Sequence, residues 1–276
     1  MRGRFKPYQA YFLARHKVLA QWGLTTFASI VAQTWWAALN ISVYYSLYMF
    51  QTGTDFTFGS QSAISYVWLQ QATLALLPFY CDPDIAGSIR SGSILYDRTK
   101  PVDTYSWWYT RNLTRVASRL FPRFTVIIVF AAICLPTFSY NGYALEKPSE
   151  ATRLFAFFVS IFLGLLVSAA IAVIMDAIAV RTLSVNGVNA VAMPLVLFFA
   201  GGVIPLPFLP EWAQFLTFLL PFSSLVDIPI RIYLGVAIDG YTYTLSLIQI
   251  TWLILLISAG RYIINRTILH LEVHGG

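Results

Sequence analysis

The residues best suited to chemistry in this sequence lie together in its longest polar stretch. A mixed-charge patch surrounds Pro101 and is followed by arginines that recur every four residues. The patch consists of Asp97, Arg98, Lys100 and Asp103, and the recurring arginines are Arg111, Arg115, Arg119 and Arg123. Mixed charges of this kind are suited to docking a soluble partner in a defined register. The alternative is that these charges pair only with one another and with lipid head groups.

Two isolated acids lie in otherwise apolar surroundings, where an unpaired charge is costly. They are Asp176 and Asp227. Acids in such surroundings are candidates for a transport role. Each also has an arginine nearby in the sequence, so the interpretation we favour is that both lie near span ends, where Asp176 pairs with Arg181 and Asp227 pairs with Arg231.

Several chemistries have no support in the sequence. The two cysteines, Cys81 and Cys134, are far apart, and the three histidines lie near the chain ends, so no disulfide framework or metal site is indicated. The sequence contains no phosphate-binding loop, HExxH or GxSxG motif. We therefore predict that the chain is not an enzyme, holds no cofactor, and depends on a partner for any energy source.

The composition places these residues in a membrane protein. Only 11% of the 276 residues are charged, 58% are hydrophobic, and the mean hydropathy is +0.66, whereas soluble domains carry about 25% charged residues. We predict an all-α integral membrane protein in which residues 1–276 form a single transmembrane domain. Six spans are predicted, at residues 24–49, 61–81, 122–140, 154–175, 184–204 and 242–263.

The positions of the cations predict how the spans are oriented. With six spans, fifteen of the eighteen lysines and arginines fall on one side. The positive-inside rule then places both termini and the basic loop in the cytoplasm. The net charge of +6 therefore indicates topology rather than nucleic-acid binding. Residues 1–20 interleave aromatic rings with cations and predict an interfacial elbow helix with its rings in the lipid, or a basic flank that serves only topology.

Two connections between spans are distinctive. Residues 82–121, between spans 2 and 3, contain the charged patch and predict a cytoplasmic segment whose second half is helical. Residues 201–231, between spans 5 and 6, are apolar and interrupted by prolines, and the charge-free stretch from Trp212 to Val226 is too short to cross the bilayer. Because proline breaks helices, we predict an outer re-entrant hairpin of short helices here, the alternative being a simple surface loop.

Two segments resemble a known family. "GSIRSGSILYDRTKPVDTYSWW" (Gly87 to Trp108) is similar to the coupling segment of a bacterial subfamily with an I-R-S-G start, and "GGVIPLPFLPEWAQFLTFLLPFSSLVDIPIRIYLG" (Gly201 to Gly235) resembles the outer re-entrant helices of the same permeases. The chain thus resembles the membrane subunits of type-2 ATP-binding-cassette exporters.

The resemblance implies a half-transporter in the bacterial cytoplasmic membrane. Two permeases, identical or similar, would stand on two ATPase subunits that hold the ATP and Mg²⁺, and the substrate would be a small amphiphile, drug, peptide, lipid or glycan. The residues implied to contact the ATPase are Ser91, Gly92, Ser93, Ile94, Leu95, Tyr96, Asp97, Arg98, Lys100 and Pro101. Those implied to form the external gate are Gly201, Gly202, Pro205, Pro207, Pro210 and Pro221. A membrane-embedded enzyme and a passive channel without an ATPase remain the alternatives.

Overall fold

The computed structural model describes residues 6–20, 23–50, 59–94, 102–148, 150–236 and 242–269, and every regular element in these ranges is helical. The α-helices are α1 (Lys6–Ala20), α2 (Gly23–Phe50), α3 (Ser60–Thr73), α4 (Pro83–Arg90), α5 (Thr104–Val129), α6 (Leu135–Thr137), α7 (Ala151–Thr182), α8 (Val185–Phe199), α9 (Glu211–Phe218), α10 (Asp227–Leu234) and α11 (Thr242–Leu269).

Helix α7 is the centre of the bundle and packs against α5, α8, α10 and α11. Its small residues allow this, because small side chains let neighbouring helix backbones approach closely. A Cβ atom on Gly164 would lie 3.0 Å from the carbonyl oxygen of Ser224. Gln249 joins α11 to α7, since its side-chain amide donates to the carbonyl of Ser160 in α7 at 3.1 Å and accepts from the Ser160 hydroxyl at 2.9 Å.

Three helices among the described residues are long and apolar enough to cross a membrane. They are Thr104–Thr137, Ala151–Thr182 and Tyr243–Thr267. Helix α2 covers the predicted first span, but the helix of the predicted second span ends at residue 76 and α8 has only 15 residues. An α-helix of 15 residues is about 22 Å long, shorter than the roughly 30 Å hydrocarbon core. The number of six spans stays a prediction.

The helix predicted in the second half of residues 82–121 continues into the predicted third span. One helix runs from Thr104 through Pro122 to Thr137, with a π-helical turn at Phe130–Cys134. Proline is tolerated inside apolar helices when neighbouring groups satisfy the freed backbone. In the π turn, the carbonyl of Ala131 accepts a hydrogen bond from the Leu145 amide at 3.0 Å, which holds the following loop against the helix.

Helix α1 lies along α5. The ring of Tyr11 packs 4.8 Å from that of Trp107, and His16 is hydrogen-bonded to the Ser118 hydroxyl at 2.8 Å. Partial burial raises the pKa of the Tyr11 hydroxyl. The elbow prediction therefore needs one correction: the rings of Tyr8 and Tyr11 contact Trp107 of the protein, because aromatic pairs favour such packing.

Candidate coupling and gate sites

Asp82 begins helix α4. Its side chain accepts a hydrogen bond from the Asp84 amide at 2.9 Å, and Pro83 occupies the first helical position. An aspartate cap followed by proline is a favourable helix start, because the cap satisfies a free amide and proline lacks the amide that would go unsatisfied. Local sequence thus sets the position of α4.

Asp82 also ties α4 to two long helices, through its carboxylate and its backbone amide. Its second carboxylate oxygen accepts from Nε of Arg111 in α5 at 3.1 Å, and the Asp82 amide donates to Asp176 of α7 at 2.8 Å. Asn112 of α5 donates to the other oxygen of Asp176 at 2.7 Å. All four residues are buried, and each buried charge has polar partners, as burial requires. We call Asp82, Arg111, Asn112 and Asp176 the Asp82 cluster.

Contacts beside the Asp82 cluster reach two further helices. Arg15 of α1 forms an ion pair with Asp84 at 2.8 Å. Asn189 of α8 accepts from the backbone amide of Cys81 at 2.9 Å. The start of α4 is therefore connected by polar contacts to α1, α5, α7 and α8.

The predicted pairing of Asp176 with Arg181 is wrong. Within the described part of the chain, the hydrogen-bond partners of Asp176 are Asn112 and the Asp82 amide. Arg181 is exposed near the end of α7. A residue five positions further along a helix does not share the face of Asp176, whereas the tertiary fold brings Asn112 and Asp82 directly to it.

The residues predicted to contact an ATPase follow α4 directly. Ser91 ends the helix, Gly92 has a φ of +69°, and the hydroxyl of Ser93 lies 2.7 Å from that of Ser91. Ile94 is buried with Trp108 and Ile264, so the segment is anchored on the ends of α5 and α11. The remaining predicted residues lie outside the described ranges: Leu95, Tyr96, Asp97, Arg98, Lys100 and Pro101.

The chain turns at the two predicted gate glycines. Helix α8 ends at Phe199, and Gly201 has a φ of +79°, a conformation that favours glycine. The Gly201 carbonyl accepts a hydrogen bond from the side chain of Gln70 in α3. The Gly202 amide donates back to the carbonyl of Leu197 at 2.8 Å, which closes the end of α8.

The prolines separate the short helical pieces that follow. Pro205 and Pro207 are buried around a 3₁₀ turn at Leu206–Phe208, and Pro210 caps α9 at an exposed position. Pro221 is buried at the start of a second 3₁₀ turn before α10. Residues 201–231 are thus a series of short helices, as the proline spacing predicts, while their depth in a membrane stays a prediction.

A second buried polar group holds these short helices to α3. Tyr66 donates to one oxygen of Asp227 at 2.7 Å, and Nε of Arg231 donates to the other at 2.6 Å. Arg231 also donates to the side chain of Gln214 in α9 at 3.1 Å. We call Tyr66, Gln214, Asp227 and Arg231 the Asp227 cluster. The predicted pairing of Asp227 with Arg231 is confirmed.

The two clusters lie at different levels of α7. Ser224, which lies just before Asp227 in the sequence, packs on Gly164 of α7. Asp176 of α7 belongs instead to the Asp82 cluster. Twelve residues of α-helix separate these points, or about 18 Å. The central helix α7 therefore connects the Asp82 cluster, which holds α4, with the packing site of residues 201–231, which we call the proline-rich segment.

Residues 81–275 match the family described as "ABC-2 family transporter protein". The chain belongs to the ABC-2 transporter family. A comparison with curated proteins found no match. The matched range contains α4, the turn at Gly201 and Gly202, and all of α7.

Membership makes the chain an all-helical, multi-pass membrane permease of an ABC transporter. ABC-2 permeases are in general non-catalytic and work with an ATPase partner. Among the described residues, no group of three His, Cys, Asp or Glu side chains could hold a metal ion.

Sequence analysis singled out half of the residues in the two clusters of this ABC-2 permease and missed Tyr66, Asp82, Asn112 and Gln214. Asp82 carries a usable signal, because Asp-Pro is a typical helix start. Gln70 also carries one, because a polar side chain inside an apolar span is expected to have a specific partner. Arg111 was recognised as part of the arginine series, but its pairing with Asp82 depends on the tertiary fold.

Two apolar grooves open on the surface of the permease. One, of about 730 Å³, lies between α2 and α5 and includes Trp35, Trp68 and Tyr143. The other, of about 420 Å³, lies between α7 and α8 and includes Met175 and Val191. Both are of the size and polarity that accept apolar ligands.

Proposed function

We propose that this ABC-2 permease belongs to an exporter in the bacterial cytoplasmic membrane. Two permeases, identical or similar, stand on two ATPase subunits that bind ATP and Mg²⁺. The exported substrate is a small amphiphile, drug, peptide, or lipid-like or glycan molecule, for which the apolar grooves beside α2 and α8 offer surfaces of suitable polarity. The proposal also includes six membrane spans, with both termini in the cytoplasm.

The observation that carries the proposal is the attachment of α4 within the family-matched region. Asp82 and the Asp84 side chain at the start of α4 contact Arg111 of α5 and Arg15 of α1, and the Asp82 amide contacts Asp176 of α7. An ATPase that moves α4 would therefore move these helices with it. ATP binding then favours one of two arrangements of the spans according to the contacts each makes with the ATPase.

The proline-rich segment is proposed to act as the external gate. Tyr66 and Gln70 of α3 donate hydrogen bonds to Asp227 and to the Gly201 carbonyl of this segment. The side-chain amide of Gln249 in α11 donates to the Ser224 carbonyl at 2.9 Å. A change in the spacing of α3 and α11 would thus alter the position of α9. In this proposal residues 201–221 cover the outer end of the substrate pathway.

We expect charge reversal in the proposed dock to abolish recovery of the ATPase. The variant combines Asp97→Lys, Arg98→Glu and Lys100→Glu, because like charges placed opposite each other at an interface cost several kcal/mol. The measurement is co-purification of the tagged permease with the ATPase encoded beside it, followed by ATP hydrolysis in vesicles.

The matched control reverses Lys147 and Glu150, which the predicted topology places on the other side of the membrane. This control should recover the ATPase as the unaltered chain does. If the chain never recovers an ATPase, it is a passive channel or a membrane-embedded enzyme. If the triple variant recovers and stimulates it normally, the coupling segment lies elsewhere.

Single-cysteine labelling should establish the proposed orientation. In a chain carrying Cys81→Ala and Cys134→Ala, Lys100→Cys and His270→Cys are expected to react only with reagents that reach the cytoplasm. Glu146→Cys is expected to react from outside, because the cation distribution places its loop there. Labelling of position 100 from outside intact cells would contradict this topology.

A further inference from the structure

Within the described ranges, three arginines on one face of α5 form no ion pair with a carboxylate. Arg115, Arg119 and Arg123 follow one another at single-turn intervals, so they span about 12 Å along the helix. Each described ion pair joins other residues, and within the described ranges no carboxylate lies in ion-pair contact with these three arginines. The series differs in this respect from Arg111, which pairs with Asp82 and Asp84.

The two outer arginines are held by neutral groups. Arg115 donates to the Cys81 carbonyl at 2.8 Å and to the side-chain oxygen of Asn112 at 2.6 Å. Arg123 donates to the hydroxyl of Ser29 in α2 at 3.0 Å. The contacts of the series therefore extend from Cys81, the residue before Asp82, to helix α2.

Arg119 lies between them with an unused donor. Its Nε atom is buried and has no hydrogen-bond partner in the described part of the protein, and the same is true of Nε in Arg115 and Arg123. A buried donor without a partner is costly, and a buried cation without a counter-charge more so. Three like charges one turn apart add mutual repulsion.

An anion beside Arg119 would supply a counter-charge to the series and accept a hydrogen bond from the unused Arg119 donor. A guanidinium presents several donors in a fixed plane and binds phosphate oxygens with two hydrogen bonds at once. Basic pockets between membrane helices bind anionic lipid head groups by this chemistry. Helix α1 lies beside this part of α5, since its His16 is hydrogen-bonded to Ser118, the residue before Arg119.

We propose that Arg115, Arg119 and Arg123 form a binding site for a phosphate group, such as that of an anionic phospholipid. The site is separate from the proposed ATPase dock and external gate, and it requires no ATPase partner. Binding there would place the ligand on α5, beside the contact of Arg123 with Ser29 of α2.

The test replaces Arg119 with glutamine in the full-length permease. Its affinity for phosphatidylglycerol in phosphatidylcholine nanodiscs should fall roughly tenfold or more, the effect of losing a charged hydrogen bond. Retention of the lipid by the purified protein is read by native mass spectrometry. Arg119→Lys, which keeps the charge but not the fork, should retain part of the affinity.

A matched control is Arg181→Gln, which removes one exposed arginine from the end of α7. It should bind phosphatidylglycerol as the unaltered chain does. Thermal unfolding adds a second readout: in a maltoside detergent, which carries no phosphate, Arg119→Gln should be at least as stable as the unaltered chain, and phosphatidylglycerol should raise the melting temperature only when Arg119 is present.

Inorganic phosphate distinguishes the source of the ligand. If inorganic phosphate alone gives the Arg119-dependent rise in melting temperature, the site takes free phosphate; if only the phospholipid does, it takes a head group. Equal lipid affinity and equal stabilisation in Arg119→Gln and the unaltered chain would overturn the proposal. So would a loss of stability in Arg119→Gln without any anion present, because Arg119 would then have another structural partner.

Discussion

Asp227→Ala is expected to destabilise the permease by about 3–5 kcal/mol, the usual effect of removing one member of a buried ion pair. The substitution leaves Arg231 buried without its carboxylate and removes the acceptor of the Tyr66 hydroxyl. Unfolding in a detergent titration, followed by tryptophan fluorescence, measures the effect.

Two companion variants separate the charge from the packing. Tyr66→Phe removes one hydrogen bond and should cost about 1 kcal/mol. Asp227→Leu combined with Arg231→Met replaces the pair by apolar side chains of similar size and should recover most of the stability, because no charge is then left buried. If Asp227→Ala were no more harmful than Tyr66→Phe, the pair would not be the anchor of the proline-rich segment.

Leucine at Gly201 and Gly202, the glycines of the proposed gate, should abolish the proposed export while the permease still assembles with its ATPase. A Cβ atom at Gly202 would lie 2.6 Å from a methyl carbon of Leu197 and 3.0 Å from its carbonyl oxygen. At Gly201 the Cβ would lie 2.9 Å from Leu206, and the φ of +79° adds strain for any other residue. Overpacking of this kind costs about 1–3 kcal/mol.

Gly142→Leu is the matched control. No atom lies within 4 Å of the Cβ position at Gly142, and its φ is not positive. This variant should export as the unaltered chain does, in a transport assay with vesicles that contain both subunits. Normal export by Gly201→Leu and Gly202→Leu would show that the turn does not need to keep its shape for transport.

The sequence predicts those parts of the fold that depend on local patterns. Pro205, Pro207 and Pro210 forecast the short helical pieces after α8, and the four-residue spacing of Asp227 and Arg231 forecasts their pairing. Both features arise within one or two helical turns. Local sequence does not decide whether a helix breaks at Pro122, and the long helix accommodates this proline without a break.

The polar clusters could not be predicted, because their members are distant in the sequence. Asp82 and Asp176 are 94 positions apart, and Tyr66 and Asp227 are 161 apart. A single sequence does not show which helices pack together, so sequence analysis takes the nearest arginine as the partner of a buried acid. That choice is correct for Asp227 and wrong for Asp176.

The attachment of α4 also bears on how quickly a partner could bind. Arg15, Arg111 and the Asp82 amide contact fix the orientation of this helix within the permease itself. An ATPase that contacts α4, as the proposed function requires, would meet a preorganised helix, and little conformational entropy of α4 would remain to be lost in the encounter. The rate of this contact would be governed by diffusion and by long-range attraction between charges, rather than by the folding of α4 on contact.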